Sequence, residues 1–106
     1  MTTFDDRQKA FEEKFAHDAD LQFRTINRRN KLLGLWAAEQ IGKHGADADA
    51  YAKDVVLADF EAPGEDDLVH KLAKDFAAAG VSITERQIRK QLEHLLLAAK
   101  DQIMKE

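Results

Sequence analysis

Cysteine is absent from this sequence, which rules out disulfides, thiolate metal ligands and a cysteine nucleophile. Serine occurs only at Ser82, in a loop-like stretch before a helix start. The five glycines stand apart, at 34, 42, 45, 64 and 80, so they build no phosphate-cradling loop. His17, His44, His70 and His94 have no partner at metal-ligand spacing, and no HExxH motif occurs. Adjacent acids are common, as at Asp5–Asp6, Glu12–Glu13 and Glu65–Asp66–Asp67. Acid–base catalysis also needs a concave site that perturbs them, and nothing in the pattern builds one. The expectation is a protein that is not an enzyme, with no metal and no cofactor.

Long apolar runs are missing too. No stretch approaches the roughly 20 residues needed to span a bilayer, so no direct membrane insertion is expected. Early Asp5 and Asp6, with no continuous apolar stretch around them, argue against a signal peptide. Together with the lack of cysteine, this points to the cytoplasm. A strongly basic face is also lacking. The formal net charge is -4, and by segment it runs -3 over 1–20, +4 over 21–43, -7 over 44–70 and +2 over 71–106. Nucleic acid is therefore not an expected partner. The alternation in sign suggests attraction between segments, with the basic 21–43 stretch pairing with the acidic 44–70 stretch.

What is present reads as one helical domain. The chain has 106 residues, 44% of them hydrophobic and 34% charged. Residues 1–18 are polar and charged, yet Phe4, Phe11 and Phe15 recur at i, i+7 and i+11 and would share one helical face. That segment is too polar for a core of its own. A stripe of this kind docks on the rest of the protein or waits for a partner.

From Leu21 to Ile41 the period is helical, through Ile26, Leu33 and Ala37, with Gly42 as a left-handed cap. Gly34 lies inside this helix at a cost of about 1 kcal/mol relative to alanine; it either lets another backbone approach closely or is merely tolerated. A second segment is expected to open at Asp47 or Asp49 and run through Tyr51 and Val55 to about Phe60, before a break at Pro63–Gly64. A third begins with Glu65, Asp66 and Asp67 and carries Leu68, Leu72 and Phe76 to Gly80. The fourth has a capping box, Thr84 with Gln87, an Ile83–Ile88 staple, and a stripe of Ile88, Leu92, Leu95, Ala99 and Ile103. The pattern predicts an all-α antiparallel four-helix bundle over residues 19–106, preceded by a mobile, partly helical segment over 1–18.

Arg24, Arg28 and Lys31, at i, i+4 and i+7, form a basic face. With a ring such as Trp36 or Tyr51, they are candidate residues for an adenine nucleotide, since arginine grips phosphate bidentately. The competing reading is a solvated face.

Three stretches are together distinctive: FDDRQKAFEEKFAHD (Phe4 to Asp18), RRNKLLGLWAAE (Arg28 to Glu39), and DF followed closely by PGEDD (Asp59 to Asp67). In this order they resemble the zeta subunit family, small inhibitors of the F-type ATP synthase of alphaproteobacteria. The resemblance covers essentially the whole chain. It implies that the N-terminal segment, about Met1 to Ala19, enters as a helix between catalytic and non-catalytic subunits of the ATPase head. There it would block rotation in the hydrolysis direction, with the bundle as its carrier. The catalytic head is then the expected partner, met at the cytoplasmic face of the inner membrane. Phe4, Phe11 and Phe15 would be buried anchors, and Asp5, Asp6, Arg7, Glu12, Glu13 and Lys14 their polar rim. Ordering such a segment on binding tempers affinity and keeps the contact reversible.

Overall fold

The computed structural model describes residues 3–61 and 64–106, with side chains described from Asp6 onward. Five helices follow one another: α1 (Thr3–His17), α2 (Ala19–Gln40), α3 (Gly45–Glu61), α4 (Glu65–Ala78) and α5 (Glu85–Lys105). No strand occurs among the described residues, so the chain is all-α.

Local chemistry explains most of the boundaries. α2 starts earlier than the apolar period suggests, because the Asp18 side chain accepts from the Leu21 amide at 3.0 Å and caps the helix. It ends in a Schellman turn: the amides of Gly42 and Lys43 donate to the Glu39 and Ala38 carbonyls, with Gly42 at φ 82°. α4 ends in the same way at Gly80 (φ 74°), and the Val81 amide reaches the Phe76 carbonyl at 2.8 Å. Val81 then packs against the core. The capping box at Thr84 and Gln87 is formed from both sides.

α3 corrects one expectation. It begins at Gly45, so neither Asp47 nor Asp49 is its cap. Asp47 lies in the first turn, where its carboxylate suits the positive end of the helix dipole. The expected break at Pro63 falls outside the described residues; Gly64 beside it has φ 146° and opens α4.

Neighbouring helices run antiparallel. Asn30 of α2 donates to Asp59 of α3, Tyr51 of α3 donates to Asp75 of α4, and Arg89 of α5 pairs with Asp66 of α4. The start of α2 meets the end of α5, where Arg28 donates to Gln102. α2 is the hub, packed mainly on α3 and α5, with α4 closing over both. At Gly34 it comes very close to α3: a Cβ there would lie 2.6 Å from the Ala52 Cα. Glycine therefore lets the α2 and α3 backbones touch.

The core joins Leu33, Val55, Leu68, Leu72, Phe76, Ile88 and Leu92, all essentially inaccessible. Burying each such side chain stabilises the fold by roughly 1.5–3 kcal/mol. Two polar side chains are also wholly buried: Asn30, satisfied between Arg29 and Asp59, and Thr25, whose hydroxyl has no hydrogen-bond partner among the described residues.

Candidate functional site

The sequence draws attention to α1, and the structure gives it a distinct position. None of its described residues, from Asp6 to His17, is buried. Asp6, Arg7, Glu13 and Lys14 are exposed, while Phe11, Glu12 and Phe15 are half-buried. The side chains of Phe4 and Asp5 lie outside the described residues. Phe11 and Phe15 stack one turn apart, with centroids 6.3 Å apart and planes at 22°.

This pair faces α5. Lys100 Nζ sits 4.4 Å from the Phe15 ring centroid and 3.1 Å from Glu12 Oε2. One cation thus takes both a ring face and a carboxylate. Gln8 and Phe11 of α1 face Leu97, Asp101 and Met104 of α5 across an open cleft of about 200 Å³. At the other end of α1, the Gln22 side-chain amide donates to the Phe15 carbonyl at 2.7 Å and to the Ala16 carbonyl at 3.3 Å. Those carbonyls belong to the last turn of α1, which a following helix cannot satisfy from its own backbone. Asp18, in extended conformation (φ -110°, ψ 105°), is the single residue between α1 and α2.

The basic face of α2 is engaged differently from the expectation. Arg24 and Arg28 do not pair with the acidic 44–70 stretch; both reach Glu106 at the end of α5. The Arg28 contact, followed by Arg24, draws the Glu106 carboxyl below its ordinary value, against a smaller opposing effect of desolvation. Antiparallel packing of α2 on α5 is the reason, since it lays the C-terminus beside the start of α2. The acids at the start of α4 are met by Arg89 of α5 instead. Lys31 lines two shallow clefts beside Val56, one of them shared with Arg24 and Arg28. Trp36 and Tyr51 line neither cleft. Trp36 sits edge-on to Phe76 at 5.7 Å, and the Tyr51 hydroxyl donates to Asp75 at 2.7 Å. The phenol's proton is held above its ordinary pKa, chiefly by burial and then by that hydrogen bond. Tyr51 is thus a core residue and Trp36 packs partly buried against the core, both away from the three cations.

Among the described residues no cluster of histidine and carboxylate side chains is arranged to hold a metal ion. No helix among them is long and apolar enough to cross a membrane.

The family model for ATPase inhibitor subunit zeta matches residues 1–102. The chain belongs to the ATPase inhibitor subunit zeta family. The match includes α1 as well as the helices that follow, so the charged aromatic segment is part of what defines zeta. No curated protein matches the chain. A solved structure described as a solution NMR structure is 44% identical, with a TM-score of 0.71, covering 80% of this chain and 96% of that one. The helical fold is thus shared at substantial identity. Membership of the zeta family makes ATP synthase the context for the chain.

No pattern in the sequence marks Lys100, Leu97 and Met104 as neighbours of α1. Lys100 and Glu12 are 88 positions apart, and no local pattern marks a pair so distant. Asp18 is a residue type that caps helices, but it lies at the end of the charged N-terminal segment.

Proposed function

We propose that this protein inhibits ATP hydrolysis by the F-type ATP synthase. Residues 1–18 act as the inhibitory segment, entering as a helix between catalytic and non-catalytic subunits of the ATPase head and blocking rotation in the hydrolysis direction. Helices α2–α5 form the bundle that carries it, on the cytoplasmic side of the membrane. Phe4, Phe11 and Phe15 are the anchors, and Asp5, Asp6, Arg7, Glu12, Glu13 and Lys14 supply charge around them.

The observation that carries this reading is the unburied aromatic stripe on α1, within a chain matched to the zeta family from its first residue. A helix with aromatic anchors and no part in its own protein's core is suited to a groove on another. Charge near the anchors sets register more than affinity.

The test is hydrolysis by purified ATPase head with increasing amounts of the full chain, and with a chain that begins at Ala19. The full chain is expected to inhibit and the shortened chain to have no effect. Equal inhibition by both would move the inhibitory surface onto α2–α5.

A further inference from the structure

We propose that α1 is stored in an autoinhibited seat on α5, latched by Lys100, and must leave that seat to act on its partner. This rests on the function proposed above. The residues that would anchor α1 in the ATPase are the ones that hold it at home. Phe15 lies under Lys100 Nζ at 4.4 Å, Glu12 pairs with the same nitrogen at 3.1 Å, and Phe11 stacks on Phe15 while lining the cleft opposite Leu97. A ring face covered by Lys100 is not available to a second protein. Docking on α5 and docking on the ATPase therefore exclude one another.

The seat is built for release. Lys100–Glu12 is the one ion pair between α1 and the other helices among the described residues. The Lys100 side chain is 16% exposed, so the latch is sheltered, but Glu12 is 43% exposed. The cleft beside it stays open, and Leu97 at its edge remains 62% exposed. A partly filled, single-cation contact gives up little when it opens. While α1 is seated, the apparent affinity for the ATPase falls in proportion to the released fraction.

Lys100 lies outside the inhibitory segment, so it separates storage from inhibition. Lys100→Ala removes the cation from both Glu12 and Phe15. It is expected to speed hydrogen exchange of the α1 amides and to lower the inhibition constant against the ATPase head by about three- to tenfold. Lys100→Arg keeps the charge and is expected to stay close to the parent chain in both. The reverse experiment locks the seat. The chain has no cysteine of its own, so Gln8→Cys with Met104→Cys gives one defined pair across the cleft. Joined by a bismaleimide with a reducible linker, this variant is expected to lose inhibition and regain it on reduction.

The inference is overturned if the locked chain inhibits as well as the parent. It is equally overturned if Lys100→Ala loosens α1 without raising potency, or leaves α1 exchange unchanged. A parent chain with no effect on hydrolysis overturns the proposed function, and this inference with it. Inhibition by the parent with an indifferent lock overturns this inference alone.

Discussion

Helices α1 and α4 are nearly equal in length, 15 and 14 residues, and each carries phenylalanine on one face. Yet α4 buries Leu68, Val69, Leu72 and Phe76, while no described residue of α1 is buried. The difference is density. In α4, apolar residues recur every three or four positions, so each turn adds to a continuous surface that α3 and α5 cover. In α1, seven positions separate Phe4 from Phe11, and the turn between them carries Asp5, Asp6, Arg7 and Lys9. Such a face holds a few large anchors but leaves the intervening turns polar. A fold needs the first kind of face; a reversible partner contact is served by the second.

The comparison breaks most directly by deletion. A chain beginning at Ala19 is expected to lose inhibition of ATP hydrolysis while keeping a cooperative thermal transition. Loss of that transition would show that α1 belongs to the core after all.

Single rings sharpen it. Phe76→Ala is expected to cost about 3–5 kcal/mol of folding stability, read by urea unfolding, because it empties the centre of the core. Phe11→Ala and Phe15→Ala should cost less than about 1 kcal/mol in the same assay, as half-buried surface positions. Their inhibition constants should instead weaken by about 2 kcal/mol or more, as for aromatic anchors. If these two variants unfold as readily as Phe76→Ala, the distinction between the faces fails.

A smaller effect is expected at Gly34. Alanine is favoured over glycine in a helix by about 1 kcal/mol, but its Cβ would stand 2.6 Å from the Ala52 Cα. Backbone cannot rotate aside as a side chain can, so the clash wins. Gly34→Ala should destabilise by roughly 1–3 kcal/mol, with α2 and α3 forced apart. A gain in melting temperature would show that the approach is not limiting.

The slightest effect concerns pH. The Glu106 carboxyl lies below its ordinary 4.5 because of Arg28 and then Arg24. Its contribution is thus present above the unfolded value and is lost as pH falls through the folded one. Glu106→Gln should flatten the acid limb of the stability profile slightly, since the pair is open to water. An unchanged acid limb would show that this link between α2 and α5 contributes nothing.

Local chemistry made much of the fold legible. Thr84 with Gln87, the glycine turns at 42 and 80, and the Leu68–Leu72–Phe76 period all depend on residues within a few positions of one another, and all appear as read. The start of α3 was misread because Asp47 suits both a cap and a first turn, and composition does not separate the two. Long-range pairings were not legible. Arg28 with Glu106, and Lys100 with Glu12, depend on how helices cross, which no single stretch of sequence encodes. For the N-terminal segment, periodicity located the aromatic face of α1, and only the folded chain revealed that Lys100 of α5 covers the Phe15 ring.

The single-residue link at Asp18 has a mechanical consequence. α1 rises about 1.5 Å per residue, so its 15 residues form a rod of about 22 Å hinged at one end. With no spacer between rod and carrier, the tip can sweep only a sphere of that radius around Asp18. A flexible tether of many residues would let the segment search freely while the carrier drifted away. Here the reach is short and stiff. On the function proposed above, Phe11 and Phe15 would reach a crevice only with the whole body resting against its rim, so the carrier would act as a gauge of how deep the rod goes.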